Sequence, residues 1–192
     1  HNKIDHDMGT AVTIMAMVFG NLGPTSGTGV LFTRNPGTGE RKVYGEYLTN
    51  AQGEDVVAGV RTPQPISALA EDMPQASTQL MDLAAQLEAH YRDVQDIEFT
   101  IENKRLFLLQ TRNAKRTPSA AVKIAVDLVR EGLISRDEAL LRVNPEDVGQ
   151  LMVPQFSIDV ESDRFKTTIL ARGSGASPGA ATGKLFFDAT RA

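Results

Sequence analysis

The sequence predicts an α+β fold in which an antiparallel sheet is packed with helices. Short segments rich in apolar and β-branched residues, separated by glycine- and proline-containing turns, fill the first third of the chain. A long stretch at residues 74–94 has apolar residues at helical spacing. Strict alternation of polar and apolar residues then begins at Asp96, which is typical of a half-buried strand. Short successive strands joined by turns favour antiparallel pairing.

Composition and charge exclude several classes of protein. The chain has 192 residues and a formal net charge of −4, so no nucleic acid and no anionic membrane is expected as a partner. Because it contains no cysteine, disulfides and thiolate metal sites are excluded. The uncharged residues 8–33 are interrupted by glycine and proline, which predicts two buried strands and a loop and no membrane span. We expect a cytoplasmic location, or a plastid in a plant.

The first third contains three predicted strands, at residues 12–19, 28–34 and 43–48. The run Thr25-Ser-Gly-Thr-Gly is similar to a phosphate loop but lacks the Lys-Ser/Thr ending and the following helix. We interpret it as a turn in which Gly29 permits close packing of strands. Residues 50–59 are predicted to be a polar loop at a ligand edge, because such loops often follow strands.

Helices are predicted to follow the central strands. Ser119 is the expected N-cap of a helix at 120–130, which Gly132 closes. Ser135 and Glu138 form a capping box that opens a helix at 136–143, and Asn144 begins a third, short helix. Beyond them, residues 153–165 are predicted to be an extended linker, and residues 173–188 a turn and a strand that begin another domain.

The hairpin at residues 96–112 carries the candidate site. A three-residue turn at 103–105 sets Glu98 opposite Gln110 and Asp96 opposite Arg112. The other face is then apolar except at one position, whereas a two-residue turn would separate Glu98 from Gln110. Burial of the apolar face therefore favours the three-residue turn.

The polar face of this hairpin has the chemistry of a metal and phosphate site. A carboxylate and an amide oxygen at cross-strand distance can hold one Mg²⁺, which takes one or two protein oxygens and completes its shell with phosphates. The planar guanidinium of Arg112 can hold a phosphate oxygen. The alternative is a hairpin with one wetted face and a surface ion pair that contributes ~0–1 kcal/mol.

Several motifs resemble, in order, those of the pyruvate phosphate dikinase family. They are Met17-Val-Phe-Gly-Asn-Leu-Gly-Pro-Thr-Ser-Gly-Thr-Gly-Val, Phe32-Thr-Arg-Asn-Pro, Tyr44-Gly-Glu-Tyr-Leu, Asn50-Ala-Gln-Gly-Glu-Asp-Val-Val-Ala-Gly, Asp96-Ile-Glu with Leu109-Gln-Thr-Arg, and Ala176-Ser-Pro-Gly-Ala-Ala. The resemblance implies that residues 1–115 belong to the C-terminal subdomain of an ATP-grasp nucleotide-binding domain. Residues 116–165 would be a helical linker, and residues 166–192 the start of a swivelling phosphohistidine domain. It also implies that the chain is an internal piece of a longer enzyme.

The resemblance implies an activity and a role for each candidate residue. Such an enzyme converts ATP, phosphate and pyruvate to AMP, diphosphate and phosphoenolpyruvate through a phosphohistidine. This segment would bind Mg-ATP and be inactive alone, because the histidine and a lysine-bearing subdomain lie elsewhere. Glu98 and Gln110 would hold Mg²⁺. Arg112 would neutralise the transferring oxygens, Asp96 would orient Arg112, and Glu54 would contact the nucleotide.

Two alternatives stay open at this point. The chain could be the same segment of a sister phosphotransferase, of the phosphoenolpyruvate synthase, glucan water dikinase or antibiotic phosphotransferase type. It could also be a non-catalytic module, although the intact polar set on the hairpin argues against that. The runs beginning at Phe32 and Asn50 favour the pyruvate, phosphate enzyme. A homodimer formed through domains absent from this chain is a further expectation.

Overall fold

The described part of the protein divides into two compact units. The computed structural model describes residues 9, 12, 14–58 and 61–151. The first unit comprises residues up to 31 together with 45–85 and 96–112, and the second comprises 32–44, 86–95 and 113–151. The predicted linker at 153–165 and the predicted turn and strand at 173–188 lie outside the described residues.

Five strands form one sheet within the described residues. They are β1 (Gly27–Phe32), β2 (Tyr44–Thr49), β3 (Gln64–Pro65), β4 (Gln95–Glu102) and β5 (Arg105–Asn113). Their order across the sheet is β3-β2-β1-β4-β5, and β2 pairs with β3 in antiparallel register. The helices are α1 (Gly53–Ala58), α2 (Leu69–Asp72), α3 (Pro74–Tyr91), α4 (Pro118–Arg130), α5 (Arg136–Arg142) and α6 (Pro145–Leu151). The predicted combination of an antiparallel sheet with helices is confirmed.

The first unit buries one complete face of β4. Ile97, Phe99 and Ile101, which alternate along this strand, are all fully buried, as the sequence predicts. Strand β1 approaches its neighbours closely at Gly29. A Cβ atom built there would lie 2.5 Å from the carbonyl oxygen of Glu46 and 2.8 Å from the Phe99 ring. The predicted role of Gly29 in close strand packing is therefore confirmed.

The turn of the β4–β5 hairpin is shorter than predicted. Strand β4 ends at Glu102 and β5 begins at Arg105, so the turn contains only Asn103 and Lys104. Both have positive φ, 49° and 69°, which is the two-residue turn whose twist matches the flanking strands. The predicted three-residue turn at 103–105 is wrong, because Lys104 as well as Asn103 accepts the left-handed conformation.

The outer end of the hairpin nevertheless has the predicted pairing. Arg112 donates to Asp96, and the backbone N–H of Ala114 donates to the carbonyl of Val94. A turn at 103–104 sets Glu102 opposite Arg105, and continuing that pairing would set Val94 opposite Asn113. The observed pairing of Val94 with Ala114 is therefore offset by one residue. Strand β5 has nine residues against eight in β4. It therefore takes up one additional residue between the turn and Arg112, as in a β-bulge.

The second unit is built on α4 and its caps. The N-cap is Thr117 and not the predicted Ser119, because the Thr117 side chain accepts from the N–H of Ala120 and Pro118 occupies the first turn. As predicted, the helix is closed by Gly132, and this residue has the left-handed φ of 71° that is common just after a helix. Its inner face joins a core made of Val94, Ala114, Ala120, Ile124, Leu128 and Ile134.

The two short helices begin where the sequence places them. Ser135 and Glu138 form the predicted capping box of α5, with each side chain bonded to the other residue's backbone N–H. Asn144 accepts from the N–H of Glu146 at the start of α6. Polar side chains thus satisfy N–H groups that the first turn of each helix leaves without a partner.

Arg34 is the most fully enclosed charge among the described residues of the second unit. Its side chain is 0% exposed and donates four hydrogen bonds, two to Glu88 on α3 and two to Glu131 at the end of α4. Burial disfavours its charged form, but the bonds to Glu131 and Glu88 outweigh that effect and raise the pKa of Arg34. The guanidinium fork thereby connects the segment that follows β1 to the last turns of α3 and to the end of α4.

Two sequence predictions in the first unit are wrong. In the predicted strand at 12–19, the described residues belong to no strand, and Ile14 and Met17 are exposed and not buried. The predicted loop at 50–59 contains helix α1, which begins at Gly53. A strand requires a neighbouring strand with which to bond, and the backbone N–H of Phe19 instead donates to the side chain of Glu102.

A membrane-spanning helix is absent from the described residues: no helix there combines the necessary length with the necessary apolar character.

Candidate functional site

Two clefts open on the first unit as far as it is described. Their volumes are 520 and 490 Å³, and they share Gly53, Glu54 and Leu109. The first is also lined by Thr28, Gly29, Val30, Val56, Glu98 and Phe99. The second is also lined by Met15, Ala16, Met17, Val18, Gly20, Gln52 and Thr100. Both therefore combine an apolar wall with a small number of polar groups, the usual composition of small-molecule sites.

Three of the predicted site residues meet on the β4–β5 hairpin. Arg112 Nε donates to Asp96 Oδ2 at 2.8 Å, and Arg112 Nη2 lies 3.5 Å from Glu98 Oε1. Asp96 and Glu98 are two residues apart on β4, so their side chains leave the same face of the strand. The hydrogen bond to Asp96 is the main reason that the pKa of Arg112 is raised.

The three residues differ in burial: Asp96 is enclosed, whereas Glu98 and Arg112 are exposed. The Asp96 side chain is only 10% exposed, whereas those of Glu98 and Arg112 are 38% and 55% exposed. A carboxylate as enclosed as Asp96 needs a charged partner, and Arg112 supplies it. The same contact fixes the direction of the guanidinium. Glu98 has one long contact to Arg112 and lines the first cleft.

The other two predicted residues are placed less closely. Glu54 lies in the first turn of α1 and lines both clefts, the first of them together with Glu98. Gln110 is exposed on β5, two residues before Arg112. Among the contacts of the described residues, none joins Gln110 to Glu98, so the structure brings together four of the five candidates.

The position of Glu54 follows from the backbone just before α1. Asn50 has a φ of 50°, and its side chain accepts from the N–H of Gly23. Arg61 donates to the carbonyls of Thr49 and Asn50 and so holds this turn from the other side. At the start of the helix, the Asp55 carboxylate accepts from the N–H of Gln52. These bonds direct the first turn of α1 towards the clefts.

Two buried hydroxyls in the clefts were not singled out from the sequence. Thr28 lines the first cleft and Thr100 the second, and their oxygens lie 3.1 Å apart. Thr28 belongs to the run that we interpreted as a turn, and Thr100 to the polar face of β4. Sequence alternation does place Thr100 on the same face as Glu98, but it carries no signal for the contact with Thr28.

The residues present fit a magnesium ion bound jointly with an anionic ligand. Within the described residues no group of three or more histidine, aspartate or glutamate side chains could enclose a metal by itself. Glu98 offers a carboxylate at the first cleft, whereas the exposed amide of Gln110 has no contact that joins it to Glu98 among the described residues. One protein oxygen is still compatible with Mg²⁺, which characteristically combines one or two protein oxygens with phosphates and water. A protein-only calcium or zinc site would need more ligands.

Comparison with known proteins assigns the chain to a family. Residues 1–78 and 75–133 match the family described as pyruvate phosphate dikinase, AMP/ATP-binding domain. The pyruvate, phosphate dikinase of Clostridium symbiosum is 56% identical over 191 residues, which cover 100% of this chain and 22% of that protein. The pyruvate, phosphate dikinase of Rickettsia typhi is 54% identical, covering 97% of this chain and 21% of that protein.

A plant relative gives the same result. Pyruvate, phosphate dikinase 1, chloroplastic, of Oryza sativa subsp. japonica is 53% identical over 188 residues, covering 98% of this chain and 20% of that protein. The chain therefore spans about a fifth of the length of the curated relatives that it matches. The family match extends over well over half of the residues, and the chain belongs to the pyruvate phosphate dikinase AMP/ATP-binding domain family.

Proposed function

We propose that this chain is the Mg-ATP-binding part of a pyruvate, phosphate dikinase, which converts ATP, phosphate and pyruvate to AMP, diphosphate and phosphoenolpyruvate through a phosphohistidine. The observation that carries the proposal is the Asp96–Arg112–Glu98 arrangement beside a 520 Å³ cleft. The domain family and the names of the relatives support the choice of reaction over that of a sister phosphotransferase.

The charges around the clefts support a ligand that brings its own cation. The residues that line them include Glu54 and Glu98 but no lysine or arginine. A triphosphate placed against these carboxylates would be repelled unless a divalent ion lay between them. In the proposed arrangement, Glu98 and Gln110 hold Mg²⁺, which supplies charge neutralisation at the phosphates.

Arg112 is the proposed catalytic residue. Its N–H groups beyond the bond to Asp96 extend from an exposed side chain, and a guanidinium fork suits the oxygens of a phosphoryl group. Phosphoryl transfer depends largely on positioning and on stabilising charge at those oxygens. Asp96 holds Arg112 in one orientation, so that little reorganisation is required when the charge develops.

The domain organisation that we propose follows the same family. Residues 1–115 form part of an ATP-grasp domain, residues 116–165 a helical linker, and residues 166–192 the start of the phosphohistidine domain. The chain alone would catalyse no turnover. The hairpin would contribute residues that bind Mg-ATP, whereas the histidine that accepts the phosphoryl group and the lysine-bearing subdomain would lie elsewhere in the enzyme. We further propose a cytoplasmic location, and a homodimer formed through other parts of the enzyme.

The test is Glu98→Gln in the full-length enzyme that carries this chain. We expect ATP-dependent phosphorylation of the histidine to collapse, while phosphoenolpyruvate-dependent phosphorylation of the same histidine survives. The two half-reactions are measured by radiolabel transfer to the protein from each donor. The amide is isosteric with the carboxylate, so the change removes charge and little packing.

Glu102→Gln is the matched control, because it lies four residues along the same strand. Its side-chain oxygen accepts from the N–H of Phe19, and glutamine retains such an acceptor. We expect this variant to keep both half-reactions. Equal loss of both half-reactions in Glu98→Gln would indicate a folding role for Glu98 and would contradict the proposed function.

A further inference from the structure

Thr28 and Thr100 form a hydrogen-bonded chain of hydroxyls in the floor of the clefts. Thr28 Oγ1 donates to the carbonyl oxygen of Phe99 at 3.0 Å, and it lies 3.1 Å from Thr100 Oγ1. Both residues are nearly inaccessible, at 3% and 4% exposed. Each nevertheless lines a cleft, Thr28 the first and Thr100 the second.

Taking the two contacts as simultaneous hydrogen bonds fixes the direction of the protons in this chain. A carbonyl oxygen can only accept, so the single proton of Thr28 is committed to Phe99. The bond between the hydroxyls then requires Thr100 to donate to Thr28. Thr100 has no second proton, and its oxygen can therefore offer only lone pairs to a molecule in the cleft.

Because the Thr100 oxygen can only accept a hydrogen bond from a ligand, the part of a nucleotide that binds to it must carry a donor. The phosphates of ATP carry no donor near neutral pH, so they gain nothing from Thr100. The donors on ATP are the ribose hydroxyls and the amino group of the base. Thr100 follows Glu98 by two residues on the same face of β4, a separation of about 7 Å along a strand.

We infer that Thr100 accepts a hydrogen bond from a ribose hydroxyl of the nucleotide and that Thr28 sets its orientation. This inference rests on the proposed function, which places the phosphates at Glu98 and Arg112. The sugar, being the next part of the molecule, then lies one step further along β4. Thr100 is thus a specificity-determining residue for the sugar, and Thr28 is a positioning residue.

The test compares ATP with 2′-deoxy-ATP and 3′-deoxy-ATP in the full-length enzyme. The measurement is kcat/KM for ATP-dependent phosphorylation of the histidine. We expect the unaltered enzyme to prefer ATP over one of the two analogues by about fivefold, the effect of one hydrogen bond to a neutral group. Thr100→Val should reduce that preference to about one, and Thr100→Ser should restore it.

A double variant protects the test against misfolding. Thr28→Val leaves a buried hydroxyl at position 100 without its acceptor, whereas Thr28→Val combined with Thr100→Val removes both polar groups together and is expected to be nearly neutral for stability. The double variant should also lose the sugar preference. If Thr100→Val and the double variant both keep the ATP preference of the unaltered enzyme, the inference is overturned.

The outcome is separable from that of the proposed function. If Glu98→Gln abolishes the ATP half-reaction but the sugar preference is unaffected by Thr100→Val, only the inference about Thr100 fails. If Glu98→Gln leaves the ATP half-reaction intact, the proposed site itself fails. A preference that responds only when the amino group of the base is removed would also overturn the assignment to ribose.

Discussion

Arg34 and Arg112 show how burial separates a structural cation from a functional one. Each pairs with two carboxylates of its own unit. Arg34 is 0% exposed and donates four hydrogen bonds, whereas Arg112 is 55% exposed and has one short bond and one contact at 3.5 Å. Four hydrogen bonds within the protein occupy most of the five N–H donors of the first guanidinium, whereas most donors of the second are still available to a ligand. The pairing alone, read without burial, does not distinguish them.

The largest effect on stability is expected from Arg34→Met. Removing the cation leaves Glu88 and Glu131 without their partner in a mostly buried position, which typically costs ~3–5 kcal/mol in the free energy of unfolding. Chemical denaturation of the chain measures this cost. Arg34→Lys keeps the charge but loses the planar fork, so its free energy of unfolding should lie between those of Arg34→Met and the unaltered chain. A loss below about 1 kcal/mol would mean that Arg34 is no more structural than Arg112.

Arg112→Gln should have the converse effect. We expect the ATP half-reaction of the full-length enzyme to fall by ~10²–10³-fold, the loss typical of one electrostatic donor. The free energy of unfolding should fall by less than in Arg34→Met, because only one enclosed carboxylate, Asp96, loses its charged partner and the glutamine amide can still donate a hydrogen bond to it. Radiolabel transfer and denaturation measure the two quantities.

Arg105 provides the control on the same strand. It is exposed and lies over the Phe107 ring, 4.9 Å from the centroid, without a carboxylate partner among the described residues. Arg105→Gln should therefore leave the ATP half-reaction close to that of the unaltered enzyme. A large loss of stability in Arg112→Gln, matching that of Arg34→Met, would remove the distinction between the two arginines.

A smaller, pH-dependent effect is expected from Glu131. The hydrogen bond from Arg34 is the main cause that lowers the pKa of Glu131 in the folded protein. A lowered carboxyl pKa contributes stability that is present above the ordinary glutamate pKa of about 4.3 and is lost as the pH falls through the folded value. Glu131→Gln should therefore be less stable than the unaltered chain at pH 7, by ~1–2 kcal/mol.

That difference should shrink as the pH is lowered from 6 to 3, in a series of denaturation curves. Glu40→Gln serves as a control, since the Glu40 side chain is exposed and has no ion pair among the described residues. A difference that stays constant over this range would show that Glu131 contributes packing and not charge.

Local signals predicted much of the fold. The alternation at 96–102, the capping box of Ser135 and Glu138, and the helix spacing before Tyr91 are each set by residues close in sequence. The Arg34 cluster could not be predicted in this way. Its partners lie 54 and 97 residues away, and no local pattern reports a contact of that separation.

The candidate site was predictable in part, for a related reason. The pair between Asp96 and Arg112 follows from burial of one face of the hairpin. The turn length does not, because the additional residue in β5 allows a two-residue turn and the burial pattern to coexist. Thr28 and Thr100 lie 72 residues apart in the sequence and on different strands, so no local pattern predicts the contact between their hydroxyls.

The crowding around Gly29 sets a limit on how this sequence can drift. Even a methyl group there would overlap the backbone of β2 and the ring of Phe99. The strand could admit it only by moving away from a neighbour, and that would separate Thr28 from its partners on β4. Random mutagenesis under selection should therefore recover glycine alone at this codon, whatever freedom the adjacent positions have.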